Sequence, residues 1–283
     1  MHKQAIVSVF AVALGCGTLL LGIARAGAGE TTKTAPDPIA HVRLAQERAL
    51  AAQQGRPLYM KYCATCHGRR GDGRGPSAAA LGLAPLDFTR GLYKFRTTPA
   101  DMIPTQRDIE RTIALGAVGT QMPPWSKILS RADIRALARY LMSLSDRFWT
   151  GEPAPPVLEI PKEPPADAAS IARGRELFAR TGCPVCHGAT GHGDGMVAAA
   201  LRDDWGKPIR PLNYHAASPK GGACSRCYFR TVSTGHAGTP MPSFAELLSP
   251  AERWDIVHFV MSLREPRSVL DYLLDPAGRT TTP

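Results

Sequence analysis

Three stretches of the chain place apolar residues at the spacing of a helix. Ile134, Leu137, Leu141 and Leu144 recur three and four positions apart behind Ser130, and Asp133 stands three residues on as a reciprocal cap. A second stretch opens with Ser249 as cap, Pro250 at the first helical position and Glu252 closing the box. There Trp254, Val257 and Met261 form one stripe, while Ile256, Val260 and Leu263 make the opposite side apolar too. This predicts a helix buried more deeply than its counterpart at 130–144. A third helix is predicted from Ser170, with Ile171, Gly174 and Phe178 on one face. Its counterpart in the first half is interrupted by Pro57, which predicts a helix that starts or kinks there.

The N-terminus has a different pattern. After a polar, basic start at Met1–Lys3, residues 5–24 are almost continuously apolar and end at Ala24-Arg25-Ala26. Two readings are open: an export signal removed after residue 26, or an uncleaved anchor, since Ile6 to Ile23 just spans a bilayer. Cys16 does not close the apolar stretch, because Leu19, Leu20, Leu21 and Ile23 follow it, so it reads as part of the signal.

The chain also repeats itself. Cys63-Ala64-Thr65-Cys66-His67-Gly68 is matched by Cys183-Pro184-Val185-Cys186-His187-Gly188. Ala78–Leu81 and Ala198–Leu201 both read Ala-Ala-Ala-Leu. Pro85-Leu86-Asp87-Phe88 corresponds to Pro211-Leu212-Asn213-Tyr214, with about six extra residues in the second copy. Arg111-Thr112 and Arg230-Thr231 each lie eleven residues before a Met-Pro pair, Met122-Pro123 and Met241-Pro242. Such self-similarity marks a duplicated α-helical domain of about a hundred residues. The expected boundaries are a signal at 1–26, a linker at 27–44, a first domain at 45–150, a Pro-rich extended spacer at 151–168, a second domain at 169–266 and a tail at 267–283.

Composition adds a constraint. The chain has 283 residues, 27 glycines, 25 prolines and only 7% aromatics, a thin supply for a hydrophobic core unless something else fills it. Seven cysteines is an odd number, so a pure disulfide framework is excluded. The formal charge of +10 is scattered, with no basic run longer than two, which argues against nucleic acid. Loss of residues 1–26 would remove Lys3 and Arg25, leaving +8.

C-x-x-C-H is the attachment signal for c-type haem: two thiols on a tight helical turn reach the two vinyl groups, and the next residue presents its imidazole to the iron. Two such motifs in register predict two haem c, held by Cys63 and Cys66 with His67, and by Cys183 and Cys186 with His187. Met122 and Met241, 55 and 54 residues after those histidines and each followed by Pro, are the expected sixth iron ligands. With both axial positions filled, no open iron is left for a substrate.

In these residues the chain resembles class I cytochromes c, specifically dihaem members built from two tandem domains. The resemblance extends to Gly91–Pro99 and Gly119–Trp125 and covers about residues 45–150 and 170–265. It implies an all-α fold wrapped round each haem, with first and last helices crossing near Gly174, Phe178 and Phe259. It also implies a backbone carbonyl near Pro85 and Pro211 that accepts a hydrogen bond from each ligand His. Arg96, Arg111 and Arg230 are candidate propionate contacts, with solvated surface charge as the alternative. Trp125, matched by Phe244, reads as packing at the haem edge. Four ionised propionates would bring the net charge to about +4.

The second copy departs from the pattern at one place. Thr105-Gln106-Arg107-Asp108 in the first copy becomes Cys224-Ser225-Arg226-Cys227 in the second. Tyr228 stands where a haem-binding His would be required, so a third haem is not expected. The pair reads as a disulfide stapling a helix start, as a redox-active pair, or as thiols free or binding metal with His215 or His236. His192 reads as an exposed loop residue.

The function expected is that of a periplasmic electron carrier without substrate chemistry of its own, docking by its Lys and Arg rim on acidic patches of redox partner proteins. Nucleic acid is not expected as a partner, and the inner membrane only if the N-terminal segment is retained. Two alternatives stand beside it: a dihaem oxidoreductase of peroxidase or thiosulfate/thiol type, and a membrane-anchored cytochrome c subunit of a respiratory complex.

Overall fold

The computed structural model describes residues 38–80, 85–99, 102–118, 120–216 and 219–264. The expected signal segment with Cys16 and the tail at 267–283 lie outside them. Among the described residues the fold is helical, without a strand, and no helix is long and apolar enough to cross a membrane. They belong to one compact unit.

The first domain contains α1 (Pro38–Tyr62), α2 (Ala64–His67), α3 (Pro76–Ala80), α4 (Gln106–Leu115) and α5 (Arg131–Ser143). The second contains α6 (Ala168–Arg180), α7 (Cys183–His187), α8 (Ser225–Thr234) and α9 (Pro250–Ser262).

Each domain is organised by its first and last long helices, which cross at a glycine. In the second domain a Cβ on Gly174 would overlap the Asp255 carbonyl and the Phe259 side chain, and Phe178 meets Phe259 edge-on at 5.4 Å. This is the crossing that the resemblance implies. In the first domain Gly55 lies against the Ala136 carbonyl and Tyr140, and the Tyr59 and Tyr140 rings are 4.9 Å apart. Gly55 and Tyr59 have the spacing of Gly174 and Phe178, a match that Pro57 obscures in the sequence.

α1 differs from expectation. It begins at Pro38, inside the stretch expected as linker, and runs through Pro57. Residues 40–54 are rich in Ala, Gln, Arg, Leu and Glu, which favour helix without an amphipathic pattern. Pro57 is tolerated because it lies on the exposed side, as does Gln53, whose carbonyl loses its amide donor there. α6 also starts earlier than expected: Asp167 caps it by accepting from the Ser170 amide at 2.7 Å.

The capping boxes form as expected. Ser130 and Asp133 close one at α5, and Ser249 and Glu252 close another at α9. Thr105 and Asp108 close a third at α4. Every residue from Arg253 to Val260 is buried, so α9 is the more enclosed of the two C-terminal helices. Its charged members are paired: Asp255 accepts from Arg173 at 2.8 and 2.9 Å and from the buried Ser170 hydroxyl at 2.6 Å.

The spacer is extended but not free. The Leu158 amide donates to Thr97 O at 2.6 Å in the first domain, and Ile160 packs on the core of the second. Glu163 Oε2 accepts from Ser225 Oγ at 2.5 Å.

Candidate haem sites

Both C-x-x-C-H motifs form single turns of helix at the end of the long first helix of their domain. Cys63 caps α2 and Cys183 opens α7, and none of the four cysteines is in a disulfide. The Cys224–Cys227 pair has the same spacing and forms a disulfide instead. Burial, helped by Cys66, pushes the Cys63 thiol up to about 12, and burial also raises Cys183.

After each His the chain reverses through glycines with positive φ, Gly68 (80°) and Gly188 (78°), a region that L side chains avoid. The Gly73 amide then donates to His67 O at 2.9 Å, and Gly193 to His187 O at 2.8 Å. This folds the turn back so that each imidazole faces a carbonyl. His67 Nδ1 lies 3.3 Å from Leu86 O, and His187 Nδ1 lies 3.3 Å from Leu212 O. The expected acceptors, Pro85 and Pro211, are each one residue off: their carbonyls face Gly73 and Gly193 instead, where a Cβ would come within 2.7 and 2.8 Å.

With Nδ1–H donating to the carbonyl, Nε2 keeps its lone pair for a metal. Desolvation lowers both imidazoles below their usual range, which keeps them in the neutral, ligating form. An aromatic ring holds each in plane. Phe88 stacks on His67 at 4.6 Å and Tyr214 on His187 at 5.0 Å, both tilted by 25°.

The two methionine loops are built alike. Met122 O accepts from the Ala117 amide at 3.1 Å, and Met241 O accepts from the His236 amide at 3.1 Å. Thr120 Oγ1 accepts from the Met122 amide at 3.1 Å, and Thr239 Oγ1 from the Met241 amide at 3.4 Å. Gly116 (φ 68°) and Gly235 (φ 62°) end the preceding helices with their Cα facing those methionine carbonyls, where a Cβ would lie 2.6 Å away.

Several buried donors have no protein partner, namely Tyr93 OH, Trp125 Nε1, Tyr228 OH and Trp254 Nε1. Trp205 Nε1 in the second domain is another; donors of this kind fit a bound group that brings its own acceptors, as the carboxylates of haem do. Trp125 packs edge-on against Tyr62, 5.4 Å away and adjacent to Cys63.

The three arginines divide. Arg96 is only 1% exposed and bridges the domains. It donates to Tyr93 O (3.1 Å) and Pro99 O (3.0 Å) in its own domain and to Thr234 O (2.8 Å) at the end of α8. Its guanidinium ties backbone of the two domains together. Arg111 pairs with Asp108 at 3.0 Å. Arg230 donates to Gly221 O at 2.8 Å; burial, then the nearby Arg111 guanidinium, lowers it to about 10. Arg111 and Arg230 are equivalent positions of the two copies, brought within each other's field at the domain seam.

Trp205 is a seam residue that the sequence reading passed over. It stands in the extra residues of the second copy, covered by Arg90 at 4.8 Å and Lys94 at 5.9 Å from the first domain. A lone Trp inside the insertion is the one sequence signal for it. His192 is exposed as expected and stacks on His215 at 4.1 Å.

Known proteins place this architecture. Residues 50–141 match the family described as cytochrome C oxidase, cbb3-type, subunit III, and residues 171–264 match the family described as cytochrome c. The chain belongs to the cytochromes c, as two tandem domains.

This tandem cytochrome is 26% identical over 214 residues to the cbb3-type cytochrome c oxidase subunit CcoP of Azospirillum sp. (strain B510), covering 74% of this chain and 61% of that one. It is also 26% identical to the cytochrome bc1 complex cytochrome c subunit of Corynebacterium diphtheriae, over 94% of this chain and 85% of that one. It spans about three fifths of the CcoP subunit of Azospirillum sp.. Among solved structures, a chain of the Kuenenia stuttgartiensis reducing HAO-like protein complex is similar with a TM-score of 0.72 and 39% identity. That match covers 75% of this cytochrome and 96% of the other chain.

Proposed function

We propose that this cytochrome is a dihaem electron carrier, exported to the periplasm, that relays single electrons between redox proteins. The observation carrying this reading is the duplicated set of C-x-x-C-H turn, carbonyl-oriented His and matched Met loop. Covalently bound haem c supplies a one-electron Fe(III)/Fe(II) couple. The protein's own part is to hold and tune it. Cys63 and Cys66 in one domain, and Cys183 and Cys186 in the other, form the thioethers. His67 with Met122, and His187 with Met241, would hold the iron of each haem. The Leu86 and Leu212 carbonyls increase the basicity of the imidazoles, while the thioether ligands favour the reduced metal and raise the potential. Arg111 and Arg230 are the arginines we assign to the propionates. Lys and Arg on the outside meet acidic patches of partner proteins in weak, salt-sensitive encounters.

A second reading has a specific observation in its favour. The 39% identical relative is a chain of a reducing HAO-like complex, which supports a role for this cytochrome as the electron-transfer subunit of an oxidoreductase assembly.

A spectroelectrochemical titration of the full chain tests the proposal. Two low-spin c-type haems, both reducible without added substrate, are expected. One haem only, or a high-spin iron at rest, overturns it.

A further inference from the structure

The Cys224–Cys227 disulfide is a redox feature that electron transfer between haems does not use. Its surroundings differ from those of a structural staple. The first domain starts the equivalent helix, α4, with the Thr105/Asp108 capping box and no disulfide. The fold therefore does not require a cross-link at this place. The bridge closes a loop of only three positions, with the Cα atoms 5.0 Å apart, so it constrains the unfolded chain less than a long-range bridge does.

Four observations make the pair reactive. Cys224 is exposed, so its sulfur is open to an incoming thiolate. Gly222 (φ 104°) packs against the other sulfur so closely that a Cβ there would lie 2.8 Å from Cys227 Sγ, which leaves Cys224 the more accessible of the two. Cys224 Sγ already accepts the Cys227 amide hydrogen at 3.1 Å as the N-cap of α8, and α8 has no acidic residue in its first turn. Cys227 itself stands where Asp108 closes the capping box of α4, and a helix N-terminus lowers the pKa of a thiol placed there. Finally, the loop is fixed from behind. Ser225 Oγ donates to Glu163 Oε2 at 2.5 Å, and Glu163 Oε1 lies 3.5 Å from the Nε2 of His258. That imidazole is 3% exposed and its Nε2 has no hydrogen-bond partner.

From this geometry we infer that Cys224–Cys227 is a thiol–disulfide exchange site that accepts two electrons from an external dithiol. The dithiol's first thiolate attacks Cys224 Sγ. The Cys224–Cys227 bond breaks, its electron pair leaves on Cys227 Sγ, and that thiolate takes up a proton. The dithiol's second sulfur then attacks its own sulfur in the mixed disulfide, and Cys224 Sγ leaves as the N-capping thiolate. The dithiol becomes a disulfide, Cys227 becomes a thiol and Cys224 the N-capping thiolate; of the two protons the dithiol gives up, one goes to Cys227 and the other to solvent. Departure of the low-pKa thiolate in the second step favours resolution.

The test uses the full chain under native conditions, with dithiothreitol as the dithiol and iodoacetamide as the trap, read by peptide mass. Reduction of the pair without unfolding is expected, with Cys224 alkylated at pH 6 within about threefold of its rate at pH 8. An ordinary thiol slows close to a hundredfold over that interval. A slowing of that size, or a pair that dithiothreitol leaves oxidised until the chain unfolds, overturns the inference. In a second measurement, Cys227→Ser should capture glutathione disulfide on Cys224 at least tenfold faster than Cys224→Ser captures it on Cys227. Equal rates overturn the assignment of Cys224 as the attacked sulfur. Neither measurement depends on the haem ligation proposed above.

Discussion

Arg96 in the first domain donates from its guanidinium to the Thr234 carbonyl of the second at 2.8 Å, across 138 residues of chain. The same side chain holds Tyr93 O and Pro99 O, so a single buried cation organises the 93–99 loop and attaches it to α8. Around it lie Phe95 against His236, 5.8 Å between rings, and the Thr97 carbonyl bonded to Leu158 of the spacer. The two domains are joined by this seam as well as by the spacer.

Replacing Arg96 by Leu removes the donors and leaves three carbonyls to find others. A loss of roughly 2–4 kcal/mol is expected, at about 1–3 for each buried group left unsatisfied with partial relaxation. Arg96→Lys should recover little, because an ammonium lacks the planar fork that reaches several carbonyls at once. Denaturant titration followed separately at the two haems should show one transition in the parent and two in the Leu variant.

Gly174→Ala places a methyl group against the Asp255 carbonyl at the crossing of α6 and α9. Overpacking of this kind costs about 1–3 kcal/mol, and Gly55→Ala should behave in the same way against the Ala136 carbonyl. Thermal unfolding monitored by far-ultraviolet circular dichroism checks both, with a lower midpoint expected for each.

His236 gives the seam a pH dependence. Burial, then the charges of Lys94, Arg96 and Arg230, lowers its imidazole to about 4, well below its unfolded value. Between about pH 6.5 and 4 the unfolded chain binds the proton and the folded chain does not, so stability falls as pH falls through that window. The full difference is on the order of 3 kcal/mol, at about 1.4 per unit. His236→Gln should flatten the slope of unfolding free energy against pH between 4 and 6.5 while leaving it unchanged above 7.

On the proposed ligation, Met122→Ala should lower the potential of the first haem and leave the second where it was, and Met241→Ala should do the reverse. A potentiometric titration resolved at the two haems separates these outcomes. Equal shifts at both would contradict the assignment of one methionine to each domain.

Much of the site was legible in the sequence because its parts are local. A C-x-x-C-H turn is five consecutive residues, a capping box spans four, and duplication makes each feature visible twice. Less was legible where the signal depended on what a residue faces. Pro57 reads as a break in the pattern, yet on the exposed side of α1 it is tolerated. Pro85 and Pro211 stand out as matched prolines, but the turn directs the next carbonyl, Leu86 or Leu212, at the imidazole. Trp205 in the insertion carries no periodicity at all, and only the approach of Arg90 and Lys94 gives it a place.

By itself the sequence determined the helical class, the duplication, the cysteine and histidine pairs and the helix starts. These rest on bonds and hydrogen bonds between residues a few positions apart, which local chemistry alone specifies. Tertiary structure alone decided that Arg96 ties backbone to backbone, that Arg111 comes within the field of Arg230, and that Cys224 and Cys227 close on each other. Those outcomes depend on burial and on neighbours brought from distant parts of the chain, and no short-range pattern encodes them.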